Sequence, residues 1–312
     1  MTSKRDRRAA STWFLALVAL AAAPGAAFGD EKDRPEGRWV ESSGEEPAGT
    51  HYRTFRSEAV GGDVSYLVYL PPRYEEAKDR HYPVVYWLYG LGSDQRGGAG
   101  FVRRLDEAIR HDRAPAMIAV LVNGPPASFF VDSPRGKSPA EEVIVKDLVP
   151  HVDATYRTIP RRRARAVEGF SMGGFGAGHL GFKHPGTFGL VSILAGALDQ
   201  VEEFAEEHPA PFREVFGGDK AYLKANSPWT LLDENADEIR KQVRVRVVTG
   251  KEDGIHGGSK RLHERLGKLD IEHEYDAVPG VGHDYKKLYD KLGDEAFRFY
   301  EKAWAKLDGA GD

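Results

Sequence analysis

Two hydrophobic rhythms divide the chain. Residues 51–57 and 64–70 are short stretches rich in aromatic and β-branched side chains, and they flank Gly61-Gly62-Asp63. Such stretches on either side of a glycine turn predict an antiparallel hairpin. Beyond Pro71-Pro72 the pattern changes to strand-length apolar runs at 83–89, 117–123, 165–168, 190–194, 243–249 and 272–278. Helix-length segments at 101–111, 139–156, 172–183, 260–268 and 285–306 separate or follow them. This alternation predicts an α/β fold: a mostly parallel central sheet, helices on both faces, and the hairpin as an antiparallel N-terminal edge.

Residues 199–239 interrupt the rhythm, mixing charged and aromatic residues around Pro211, Gly217-Gly218 and Pro228. They read as an insertion between two sheet strands, of the kind that caps a site. One domain then covers 51–307, and 30–50, rich in Glu, Gly, Pro and Ser, reads as a linker or flexible arm. Ahead of it Lys4, Arg5, Arg7 and Arg8 precede an apolar run at 13–23 and the small-residue end Ala27-Phe28-Gly29. A basic start, a short apolar core and a small-residue end predict a signal peptide over 1–29 that is removed on export. The apolar run is well short of the roughly 20 residues that span a bilayer as a helix. The expectation is a secreted or periplasmic protein with no stable membrane insertion after signal removal. Arg7-Arg8 is compatible with twin-arginine export and with an ordinary signal, so the route stays open.

Composition narrows the chemistry. No cysteine occurs in the 312 residues, which excludes disulfides, a cysteine nucleophile and thiolate metal sites. The net charge of −4 becomes more negative once the basic signal is lost, which argues against nucleic acid as a partner. Arg161, Arg162, Arg163 and Arg165 read as solvated charge ahead of a strand, and Glu202, Glu203, Glu206 and Glu207 as a solvated helix face. Asp253, His256 and His283 could be grouped as metal ligands, but no paired His-x-x-x-His motif supports them. No metal and no cofactor is therefore expected.

The reactive chemistry gathers around Glu168-Gly169-Phe170-Ser171-Met172-Gly173-Gly174. A serine hydroxyl attacks only when a base removes its proton, so it needs an exposed, sharply turned backbone and a nearby imidazole. Glycines two residues either side of Ser171 suit such a strand-to-helix turn. In this arrangement the base comes last in the chain, and His283 follows the final strand in the glycine-rich loop Pro279-Gly280-Val281-Gly282-His283. The acid belongs at the end of the preceding strand, where Asp253 is preferred and Glu252 is the alternative. An oxyanion needs two backbone N–H donors, assigned to Met172 and to Leu91 in the loop Gly90-Leu91-Gly92-Ser93. Glu168, at a strand end beside the nucleophile turn, is expected to make a structural hydrogen bond. Phe129, Phe130, Trp229 and Tyr285 are candidate substrate contacts that could stack on a ring or sugar, or equally pack the cap.

These residues resemble the Putative esterase family, which includes esterase D, feruloyl esterase and mycolyltransferase antigen proteins. The resemblance rests on the runs at 82–90, 165–174, 250–253 and 279–284 and extends over nearly all of 51–307. Where many hydrolases carry His-Gly before the oxyanion donor, this chain has Tyr89-Gly90. The resemblance implies an α/β-hydrolase fold, a Ser171–His283–Asp253 triad, and Leu91 and Met172 as oxyanion donors. It implies a small-molecule or polysaccharide-linked ester substrate, with sugar-linked acyl or feruloyl esters as the first reading. Acyl transfer to a sugar acceptor and a non-catalytic carbohydrate-binding role on the same fold are the alternatives.

Overall fold

The computed structural model describes residues 38–41, 46–305 and 307. The strands are β1 Thr50–Ser57, β2 Gly62–Tyr69, β3 Val84–Leu88, β4 Ile118–Val122, β5 Arg165–Phe170, β6 Leu190–Leu194, β7 Arg244–Gly250 and β8 His273–Val278. They form one sheet in the order β1-β2-β4-β3-β5-β6-β7-β8. The hairpin β1–β2 joins antiparallel to β4, and every pair from β4 through β3 to β8 is parallel. This is the α/β sheet with an antiparallel N-terminal edge that the apolar rhythm predicts. Strands β3, β4, β5 and β6 are buried along their whole length. Burial on both faces is why they read as unbroken apolar runs rather than as alternation.

Helix α1 is Ala99–Arg110; α2 Ala140–Glu142 and α3 Val149–Thr155 are joined by a π-helical segment, Val143–Leu148. α4 is Met172–Lys183. Between β6 and β7 lie α5 Val201–Glu207, α6 Pro209–Glu214, α7 Lys220–Asn226, α8 Pro228–Glu234 and α9 Ala236–Gln242. The chain ends in α10 His256–Lys268, α11 Tyr285–Leu292 and α12 Glu295–Trp304. The single helix expected over 285–306 is thus two helices. Gly293 separates them at φ +54, a left-handed conformation that stops a helix and that glycine adopts without a Cβ clash.

The expected signal peptide, 1–29, lies outside the described residues, as does part of the 30–50 arm. Residues 38–41 of that arm are docked on the sheet edge. Trp39 is buried, and its carbonyl accepts from Ser65 N at 2.8 Å and Asn123 Nδ2 at 3.0 Å. Among the described residues, no helix is long and apolar enough to cross a membrane.

With no cross-links, buried polar clusters do part of the fastening. Glu141 on α2 takes hydrogen bonds from His179 Nε2 at 2.7 Å and Lys183 Nζ at 2.8 Å on α4, and from His184 Nε2 at 2.7 Å just past its end. Burial pushes the Glu141 carboxyl upward, but the bonds from His179, His184 and Lys183 outweigh it and hold the group well below the usual carboxylate range. A carboxyl depressed in the folded state stabilises above its ordinary value of 4.5, and that contribution fades as pH falls below it. Glu141→Gln is therefore expected to lower the unfolding free energy by roughly 1.5–3 kcal/mol near neutral pH. The gap from the parent should narrow at about pH 3, as urea titrations at both pH values would show.

Candidate active site

Ser171 stands in the turn between β5 and α4 with φ +60 and ψ −118. This backbone conformation is costly for a residue with a side chain, and the surroundings enforce it. Ser171 N donates to Leu194 O at 3.0 Å, while its carbonyl accepts from Phe175 N and Ala197 N, both at 3.1 Å. The flanking glycines are required by contact. A Cβ on Gly169 would lie 2.1 Å from Gly173 O, and one on Gly173 would lie 2.1 Å from Leu88 O. Helix α4 therefore leaves the sheet at a distance no side chain would permit, and Ser171 is left at the carboxyl edge of β5.

Three side chains distant in sequence meet there. His283 Nε2 lies 2.9 Å from Ser171 Oγ, and His283 Nδ1 lies 2.8 Å from Asp253 Oδ2. The Asp253 side chain is 1% exposed and that of His283 is 41% exposed. With Nδ1–H donating to the carboxylate, Nε2 is left to accept from the serine hydroxyl. The other Asp253 oxygen accepts from Ile255 N at 3.0 Å. Glu252, the alternative acid, turns away from the imidazole and props the histidine loop instead: its Oε2 accepts from Val281 N at 3.0 Å. Gly250 allows that loop to pass, since a Cβ there would sit 2.2 Å from Val281 O. The Phe170 ring packs 4.7 Å from the imidazole, a neighbour that sequence reasoning missed although it adjoins Ser171.

The loop after β3 closes the other side. A Cβ on Gly90 would touch Ser171 Cβ at 3.5 Å. Gly92, at φ +77, donates to Pro126 O at 2.8 Å, and Ser93 N donates to Gly90 O at 3.1 Å. Within this turn Leu91 N–H has no acceptor among the described residues, and Met172 N–H at the start of α4 has none either. Tyr89, standing where many hydrolases have histidine, donates its hydroxyl to Gly124 O. Among the described residues no group of three or more His, Asp or Glu is placed to hold a metal ion.

The four aromatic candidates separate. Phe129 and Phe130 are each 1% exposed, so neither ring is free to stack on a substrate. Positive φ at both residues, 51 and 57, accompanies rings turned into the core. Phe129 packs against Phe175 and Phe204, and Phe130 against Tyr89. Trp229, half-buried on α8, packs on the hydrophobic core, with no hydrogen bond or ring contact to Ser171 or His283. Tyr285 is the one near the site, its ring 5.7 Å from Phe170. A cleft of about 760 Å³, which the sequence did not reveal, opens at Pro126, whose carbonyl accepts from Gly92 N. It runs between 125–138 and 213–222, with Pro125, Pro126, Ala127, Phe216 and Tyr222 in its walls. The only sequence signal is its position after β4, at the carboxyl end of a parallel strand, where α/β sheets place ligands.

The glycine contacts generate a test. Gly173→Ala is expected to destabilise the fold by roughly 1–3 kcal/mol or more, because the obstruction is backbone. Gly186→Ala, with open space around its Cβ, should be near neutral in the same thermal unfolding measurement.

The family model for Putative esterase matches residues 57–302. Esterase Rv1288 of Mycobacterium tuberculosis is 29% identical over 80% of this chain and 58% of its own length. An endo-1,4-beta-xylanase/feruloyl esterase of Xylanibacter ruminicola is 29% identical over 65% of this chain and 27% of its own length. The chain thus spans little more than half the length of the first relative and about a quarter of the second. The solved ferulic acid esterase of the anaerobic fungus Anaeromyces mucronatus superposes with a TM-score of 0.61 at 21% identity, covering 88% of this chain and 97% of that one. At that identity the likeness concerns the fold, which is that of α/β-hydrolase esterases. With most of its length matched by the family model, the chain belongs to the Putative esterase family.

Proposed function

We propose that the protein is an exported serine esterase that cleaves carboxylic esters through an acyl-enzyme, with Ser171 as nucleophile, His283 as base and Asp253 as the group that orients it. The observation that carries this reading is the continuous path Ser171 Oγ, His283 Nε2, His283 Nδ1, Asp253 Oδ2, with links of 2.9 and 2.8 Å. His283 Nε2 takes the Oγ proton as Oγ bonds to the ester carbonyl carbon. The carbonyl oxygen becomes an oxyanion, toward which the Leu91 and Met172 N–H groups are available. As the carbon–oxygen bond to the alcohol breaks, the imidazolium returns its proton to the departing oxygen. A water then gives a proton to Nε2 and attacks the acyl carbon. Collapse releases the carboxylic acid and restores Ser171. Asp253 holds the imidazole in one tautomer and balances its transient charge.

Sugar-linked acyl or feruloyl esters, free or on a polysaccharide, are the proposed substrates. The names of the relatives support this class, and so does the cleft, whose size falls in the range of about 300–1,000 Å³ typical of sites for sizeable ligands. Its partly exposed walls, Pro125, Pro126, Ala127 and Tyr222, suit a flat group with an apolar face. The basic, short-cored N-terminus supports export, and with it a secreted or periplasmic location.

Ser171→Ala is expected to reduce p-nitrophenyl acetate turnover by at least about 10³-fold without loss of fold, by circular dichroism. Unchanged turnover in that variant rejects the nucleophile. Ala127→Trp, which fills the cleft, should raise KM severalfold for a feruloylated oligosaccharide while leaving p-nitrophenyl acetate kinetics alone. Equal effects on both esters, or on neither, reject the cleft as a subsite.

A further inference from the structure

Beneath the nucleophile turn lies a carboxylate with no access to solvent. Glu168 is 0% exposed, sits three residues before Ser171 on β5, and aligns across the sheet with Ser192 on β6 and Arg246 on β7. Its Oε2 accepts from Arg246 Nη2 at 2.6 Å and from the Tyr300 hydroxyl at 2.6 Å. Arg246 is itself pinned, donating to Ser192 Oγ at 3.0 Å and to Ala296 O at 2.6 Å. The other carboxylate oxygen, Oε1, accepts from the Tyr289 hydroxyl.

The placement of Tyr289 differs in kind from that of Tyr300. Tyr289 lies on α11, an eight-residue helix that begins two residues after His283. Asp284 caps that helix, accepting from Lys287 N at 3.1 Å, so the histidine loop runs into it without slack. The first turn rests on aromatic surface, with the Tyr285 ring 5.7 Å from Phe170 and 5.8 Å from Trp87. Ring packing sets the height of the helix above the sheet but resists sliding weakly, because dispersion contacts are non-directional; a hydrogen bond to a fixed carboxylate resists it strongly. Tyr300 lies on α12, beyond the left-handed break at Gly293, and does not share a rigid element with His283.

We infer that Tyr289 is a positioning residue: its hydrogen bond to Glu168 holds α11, and through it His283, in register with Ser171. One carboxylate thereby ties the strand that presents the serine to the helix that follows the histidine. Its other oxygen reaches β7, the strand leading to Asp253. Burial and the adjacent Glu168 push the Tyr289 hydroxyl well above its usual value, so it remains a donor across the working range of pH. This role rests on the proposed serine mechanism, since register matters only if His283 must meet Ser171 Oγ.

Tyr289→Phe and Tyr300→Phe form a matched pair, each removing one hydroxyl from the same buried carboxylate. Tyr289→Phe is expected to lower kcat for p-nitrophenyl acetate about 10-fold, KM staying within about twofold, because small misplacements of a reacting group cost rate rather than binding. Labelling of Ser171 by a fluorophosphonate should slow in parallel. Tyr300→Phe should keep kcat and labelling within about twofold of the parent at a comparable loss of thermal midpoint. Equal kcat losses in the two variants, or none in either, overturn the inference, because a purely structural cluster would not distinguish them. If the parent itself neither turns over the ester nor takes the label, the serine mechanism has failed instead. The register claim is then read from the His283 Nδ1 proton by NMR. Its resonance should shift or broaden in Tyr289→Phe and not in Tyr300→Phe, and an unmoved resonance in both overturns it.

Discussion

The candidate site depends on a backbone turn that an isolated peptide would avoid. Ser171 is held at φ +60 and ψ −118, a conformation that costs on the order of 1–3 kcal/mol and persists only when its surroundings over-determine it. Here they do so through the sheet. Leu194 O from β6 receives the Ser171 amide, and the Leu88 carbonyl at the end of β3 presses on Gly173 where no Cβ would fit. The order β3-β5-β6 is thus part of the site, because it brings both neighbours against the turn.

Charge placement follows the same logic at greater depth. A carboxylate buried in the sheet must be matched by donors, and Glu168 draws its donors from β7, α11 and α12. Glu141 does the same between α2 and α4, the helix that starts at the Ser171 turn. Removing one partner from such a cluster strands a charge in low dielectric, so these bonds specify which elements meet more than they add net stability. In a chain without cysteine, such clusters and apolar packing share the work that cross-links do in disulfide-bonded proteins.

Legibility in the sequence follows the range of each interaction. The strands were readable because burial on both faces imposes an unbroken apolar run on β3 to β6, and the glycine spacing around Ser171 was readable because its clash partners lie within one turn. Placement of Asp253 and His283 was readable from chain order, since parallel strands deliver their carboxyl ends to one edge of the sheet. The helix over 285–306 was misread as continuous, although Gly293 was in view, because the apolar period carries through the break.

What no local pattern could show is where a side chain points once elements pack. Phe129 and Phe130 look like exposed loop aromatics, and only the left-handed backbone at both positions and the rings of Phe175, Phe204 and Tyr89 reveal them as core. Glu252 and Asp253 are adjacent carboxylates, and the choice between them falls to Val281 N, which takes Glu252, and His283 Nδ1, which faces Asp253. The cleft beside Gly92 exists because 125–138 and 213–222 fail to close on each other, a fact of two distant segments. The sequence alone determined the α/β plan and the order of the serine, acid and histidine, since these follow from apolar periodicity and turn chemistry. The tertiary structure decided which carboxylate faces His283, the inward rings, the cleft and the tie from Tyr289 to Glu168, because each is a contact between residues that only the folded sheet brings within reach.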